Sequence, residues 1–261
     1  KGVFVSFDDG DHWQSLQLNL PVTSVRDIDV HGNDVVIATH GRSFWVLDNV
    51  TPLRQADAVV KAGDPFLCQP APAVRERPAG FTGTPMPRDE PMAQNVPAGA
   101  MIDYVLPKTA ATVKLEILDD RGTLVRRYSS EDAVPAFDPA RLRTAPEWSK
   151  PPLQLQTSPG MHRFVWPIRY AAAGSAGRSS GPADDGVWAP PGRYSVALTV
   201  DGVRLTQSLL VLPDPRVTAT PEAYAEQFAL ARQVEALGLR VSTALAEADE
   251  LLTQLAAAQP T

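Results

Sequence analysis

The chain has 261 residues, 44% of them hydrophobic and 21% charged, an ordinary globular balance that excludes a disordered tail. A net charge of −6 without clustered Lys or Arg gives phosphate nothing to bind, so nucleic acid is not expected as a partner. No apolar run reaches bilayer length. The single cysteine, Cys68, leaves neither an intrachain disulfide nor a cysteine metal site.

The first fifty residues read as short strands joined by tight turns. Gly2 to Phe7 alternates from the start, and His12 to Leu18 follows. Asp27 to His31 then meets the turn Gly32-Asn33-Asp34, with Val35 to Thr39 beyond it and Ser43 to Leu47 after His40-Gly41-Arg42. Strands at this spacing predict an all-β repeat architecture. A chain that opens inside a strand reads as part of a longer protein.

From 68 to 99 the pattern gives way to Pro, Gly and Met, the composition of a linker. Strand signals resume at Met101 to Leu106. Val113 to Leu118 and Leu124 to Tyr128 flank the hairpin turn Asp119-Asp120-Arg121-Gly122, and Arg193 to Val200 and Val203 to Leu212 flank Asp201-Gly202. A second Pro-rich stretch covers 130–158. Strands without intervening helices over 100–213 predict a β-sandwich.

At the end the period changes. Thr220 can cap a helix, Pro221 suits its first position and Glu222 favours its positive end. Apolar residues then recur from Tyr224 and Phe228 to Leu252 and Leu255 at three- and four-residue steps, one stripe on a long helix over the tail 214–261. Its outer part, 240–258, is expected to pack on a further helix or on a second copy of the chain.

Ser6-Phe7-Asp8-Asp9-Gly10-Asp11-His12-Trp13 fits Ser-x-Asp-x-Gly-x-x-Trp, which resembles the Asp box of bacterial-neuraminidase-type (BNR) repeats. In such a turn Asp8 accepts backbone amides, Gly10 takes positive φ and Trp13 packs on the returning strand, with Ser6 completing the motif. The crowded Asp8, Asp9 and Asp11 lack the spacing and closing Glu of an EF-hand, so no metal is expected. The run Val35 to Asp48, followed by Pro52-Leu53-Arg54-Gln55, resembles the closing blade of large bacterial proteins classed with sortilin-type and glycosyl-hydrolase-like propellers. Pro159 to Trp166, with Ala189 to Tyr194, resembles the immunoglobulin-like module of flagellar hook-capping and many secreted bacterial proteins. These resemblances imply a mainly β chain: the last blade or blades of a β-propeller at 1–67, the linker, an immunoglobulin-like sandwich and the helical tail. They also imply missing N-terminal blades as the main partner and a secreted, periplasmic or cell-surface setting.

Catalytic candidates are few. His40 and Arg42 flank Gly41 and could face a propeller's central channel, where a carbohydrate or peptide would bind. The plainer reading is a hydrogen-bonded turn with a solvated arginine. His162, Phe164 and Trp166 alternate on one strand face, the pattern of a core histidine among aromatics. The arginine cluster and Tyr–Glu pair of a sialidase cannot be assembled, nor can a placed carboxylate pair for another glycosidase. The expected function is a non-catalytic scaffold or binding portion of a propeller protein, with no cofactor. Two alternatives stay open: a glycoside hydrolase whose catalytic residues lie in the missing blades, and a sortilin-like peptide-binding propeller.

Overall fold

A computed structural model describes residues 2–76, 96–133, 154–174 and 185–258. Most of the expected linker (77–95), most of the second Pro-rich stretch (134–153) and residues 175–184 therefore lie outside the described residues. The chain is mainly β, 38% strand against 22% helix, with a half-barrel sheet and a C-terminal helix.

The N-terminal region holds five strands. β1 (Phe4–Val5) and β2 (Gln14–Ser15) pair antiparallel, shorter than their alternation suggests because Ser6 to Trp13 is taken up in the loop between them. β3 (Val25–His31), β4 (Asp34–Thr39) and β5 (Phe44–Leu47) form an antiparallel sheet in that order. Its core is thin: Val3, Leu20 and Ile37 are buried, with Leu16, Val25, Val35 and Trp45 packed on them. A 3-10 turn, Leu53–Gln55, leads into the short helix α1 (Ala56–Ala62), which Gly63 ends at φ 63°. A left-handed residue there is costly for anything with a Cβ.

The remaining strands are β6 (Phe66–Leu67), β7 (Ala73–Arg75), β8 (Ala100–Leu106), β9 (Val113–Leu118), β10 (Leu124–Ser129), β11 (Gly160–Trp166), β12 (Arg169–Ala171), β13 (Asp185–Trp188), β14 (Gly192–Val200) and β15 (Val203–Pro213). One sheet runs β10-β9-β14-β15-β7, a second runs β11-β8-β6, and β12 pairs with β13. The two larger sheets share one core. Leu115, Ile117, Val196 and Leu198 come from the first, Ile102, Phe164 and Trp166 from the second, all buried. Tyr128 meets Phe164 edge-on at 4.6 Å between ring centres, and Trp166 meets Tyr194 at 5.3 Å. Each large apolar side chain buried this way contributes about 1.5–3 kcal/mol, so this core dominates the molecule's stability.

Both hairpin turns form where their residues place them. Asp119 Oδ1 accepts the amides of Arg121 and Thr123, and Asp201 and Gly202, at φ 47° and 88°, make the two-residue link between β14 and β15. Asp201 Oδ1 also accepts the amides of Ala111 and Thr112, tying this turn to the approach of β9. The expected linker, by contrast, begins inside this β platform. Phe66–Leu67 pairs with β8, and Ala73–Arg75 lies parallel to β15, Ala73 opposite Val211. Composition misread this stretch because its prolines sit beside an edge strand, where a missing donor costs little.

The helix α2 (Pro221–Ala258) starts as its residues predict. The Thr220 hydroxyl accepts the amide of Ala223, and Glu222 in the first turn has its carboxyl held below the usual range by its own backbone amide and Thr220. The single stripe does not hold. Tyr224, Phe228, Ala231 and Glu235 are the half-buried positions, while Val234, Leu237, Val241, Leu245, Leu252 and Leu255 stay exposed. A stripe read at mixed three- and four-residue steps had merged two separate faces.

Candidate functional site

The Ser6–Trp13 loop is held by its own side chains. Ser6 Oγ donates to Asp8 Oδ1 at 2.8 Å and accepts the Gly10 amide at 2.8 Å. Asp8 Oδ1 accepts the His12 amide at 2.9 Å, and Asp8 Oδ2 lies 2.6 Å from His12 Nδ1. Asp9 and Gly10 take positive φ, 56° and 101°. The His12 amide, then the His12 ring and the Ser6 hydroxyl, hold the Asp8 carboxyl below the usual carboxylate range. Ser, Asp and His stand together, but in the wrong order for a nucleophile. A triad needs the imidazole between hydroxyl and carboxylate, and here the carboxylate is in the middle. Trp13 does not pack into the returning strand; it is 63% exposed and its ring lies over Gly10.

The turn at His40 and Arg42 works through its backbone. The His40 amide donates to Ser24 O, the Thr23 hydroxyl donates to His40 O, and Trp45 Nε1 donates to Arg42 O. Both side chains are exposed. His162 sits at the rim of the platform core. Its Nε2 lies 2.6 Å from Ser158 O and its ring rests on Tyr104, 5.3 Å between centres.

What the fold does bring together is a set of joints. Arg163 on β11 donates through Nε to Asp103 Oδ1 at 2.8 Å, and through its two terminal nitrogens to the carbonyls of Asp48 and Asn49. Asp103 on β8 is 3% exposed. Burial pushes its carboxyl up, and the Arg163 guanidinium pulls it back down. Nearby, Asp48 Oδ1 is buried without a hydrogen-bond partner among the described residues, and burial followed by Asp34 raises that carboxyl too.

Two residues of the Pro52-Leu53-Arg54-Gln55 run continue the clasp. Arg54 donates to Asn33 Oδ1 and Gly32 O, gripping the turn between β3 and β4. Gln55 exchanges a pair of hydrogen bonds with the Gln69 backbone, and Gln69 in turn donates to Ser208 O on β15. A guanidinium fork suits this task because it supplies several fixed donors to carbonyls that would otherwise lose water unpaired.

A second joint holds α2. Arg169 stacks over Trp188 at 4.0 Å, Arg75 lies 5.9 Å from the same ring and 5.1 Å from Tyr224, and Arg75 donates to Gln227 Oε1. Tyr170 packs on Phe228 at 5.0 Å between centres, and Glu235 accepts the Ala173 amide. Beside this contact runs a groove of about 710 Å³ whose lining includes Asp120, Arg121, Pro190, Leu212, Tyr224 and Phe228.

Sequence reading missed Arg163, Arg54 and Gln55 as joint residues. The first stands between His162 and Phe164, and only tertiary contact reveals its acceptors. The other two carried a signal, an Arg-Gln pair in the Pro52-Leu53-Arg54-Gln55 run that follows β5. Among the described residues no group of three or more His, Cys, Asp or Glu side chains is placed to hold a metal, and no helix is long and apolar enough to cross a membrane. The chain matches no protein-family model, no curated protein and no solved structure.

Proposed function

We propose that this chain is a non-catalytic scaffold that carries the closing blade of a secreted, sortilin-type β-propeller on an immunoglobulin-like sandwich. The observation that carries the reading is a sheet whose central and outer strands, β4 and β5, are apolar on both faces. In register, Ile28, Ile37 and Trp45 share one face with Val30, Val35 and Leu47, while Val36, Val46, Ala38 and Phe44 share the other with Asp27 and Asp29 of β3 at its margin. A sheet with one wet face alternates apolar and polar residues; one apolar on both faces is suited to cover on both. Propeller blades stack in that way. Here Phe44 and Val46 are 74% and 53% exposed on one face, and Ile28 and Val30 are 54% and 58% exposed on the other, so both faces leave apolar surface for a neighbour. The Arg163 and Gln55 clasps support the same role, since they tie the end of the N-terminal region to the platform. The short Ser6–Trp13 loop, with the His12 amide on the Asp8 carboxylate and the Gly10 amide on the Ser6 hydroxyl, suits the Asp box of such a blade.

The test uses the chain and its complete reading frame side by side. A solvatochromic dye for apolar surface should bind the chain, bind the Phe44→Ser/Val46→Thr variant far less, and bind the full protein weakly. Strong dye binding to the full protein at the same two residues would overturn the blade assignment. Offered aryl glycosides and a peptide array, the full protein should show neither turnover nor peptide capture that depends on His40 or Arg42. Turnover lost in Arg42→Ala would replace the scaffold with the hydrolase reading, and peptide capture lost there would replace it with the receptor reading.

A further inference from the structure

The helix α2 carries two apolar faces, and the platform uses one of them. Tyr224, Phe228, Ala231 and Glu235 face the platform, and Leu239 approaches Gly174. On the opposite side, about 140° away at 100° per residue, a strict seven-residue repeat runs along the helix. Leu230, Leu237, Ala244 and Leu251 occupy one seam position, and Val234, Val241, Ala248 and Leu255 the other. This is an alternating four- and three-residue spacing held for nearly four heptads, long enough for a stable coiled coil. Nothing among the described residues covers it: the Leu and Val members are 51–63% exposed.

The seam is complementary to itself when a second copy runs antiparallel. Set the two-fold axis between Ser242 and Thr243, so that paired positions sum to a constant. Leu237 then meets Ala248 of the other helix and Val241 meets Ala244, large against small through the centre. At the ends Leu230 meets Leu255 and Val234 meets Leu251. The flanking positions meet their like positions across the axis, offset by two residues from that sum. Gly238, with no atom within 4 Å of where a Cβ would stand, receives Leu245, and Arg240 faces Glu247 twice across the axis. Every layer alternates the two seam positions, as antiparallel packing requires. A parallel pair would set Arg240 and Glu247 against Leu245 and Leu252 instead. We infer that α2 is a homodimerisation helix that pairs antiparallel with a second copy of this chain, through the Leu230–Leu255 seam and reciprocal Arg240–Glu247 ion pairs. The resulting interface is isologous, so it closes at two copies and leaves the docked face of each helix on its own platform.

Sedimentation of the full chain over a concentration series should give a monomer–dimer equilibrium, and Val241→Glu should abolish the dimer while leaving the platform's near-ultraviolet signal unchanged. Arg240→Glu alone and Glu247→Arg alone should each weaken the dimer about tenfold, as two attractive pairs become repulsive. Mixing the two variants restores both pairs in the heterodimer, whose affinity should return to within about twofold of the native value. A monomer at all concentrations would overturn the inference, as would a dimer that survives Val241→Glu. A dimer indifferent to the two charge variants, or a mixture no tighter than either alone, would overturn the antiparallel register.

Discussion

The N-terminal sheet and the β platform are both antiparallel in their main pairings and both rich in Val, Ile and aromatic residues, yet they are stabilised differently. In the platform, two sheets close on each other, so Ile102, Leu115, Ile117, Trp166 and Val196 lose all contact with water. In the N-terminal sheet the same residue types are only partly covered: Ile28 and Val30 on one face and Phe44 and Val46 on the other remain more than half exposed. The difference is one of partners, not of sequence quality. A strand can be fully apolar and still contribute little until a second layer arrives. The thinner region compensates with polar joints, and those joints are where it can be broken selectively.

The largest effect is expected in the platform. Trp166→Ala removes a fully buried ring whose Nε1 donates to Arg169 O, and should cost about 3–5 kcal/mol in denaturant unfolding. A cost under about 1 kcal/mol would mean that the shared core is not the main source of stability.

Next comes the clasp. Arg163→Ala leaves Asp103 buried and without its cation, which should cost about 3 kcal/mol and raise the Asp103 carboxyl further. Hydrogen exchange should then quicken in β3–β5 more than in β9 or β14. Uniform quickening would show that the two regions unfold as one unit.

The smallest effect lies at the exit to the helix. Asp214 is held to about 2 by the Arg216 side chain and amide, and Arg216 also reaches Glu76. Its folded pKa is lowered, so its stabilisation is present above pH ~4 and fades as pH falls toward about 2. Asp214→Asn should flatten that part of the acid limb in a pH series of thermal melts and leave the neutral region nearly unchanged. An unaltered acid limb would show that the pair contributes nothing.

Local chemistry made much of this legible beforehand. Both hairpins, the Thr220 cap and the Phe164–Trp166 core face follow from turn residues, capping groups and two-residue alternation, all of which act within a few positions of the chain. The joints were not legible. Arg163 finds Asp48 and Asn49 across more than a hundred residues, and Arg75 reaches Trp188 and Tyr224 from another sheet and a helix. Nothing near those arginines in sequence marks their acceptors.

By itself the sequence determined where the chain turns, where it alternates and where it becomes a helix, because sterics, capping and periodicity are local. Only the tertiary structure decided that the Pro-rich stretch after Cys68 begins as an edge strand on β15. It alone separated the helix's platform face from its seam, and left apolar residues exposed on both faces of the N-terminal sheet. The physical reason is common to all three: burial belongs to pairs of surfaces, and a surface's partner is set by the path of the whole chain.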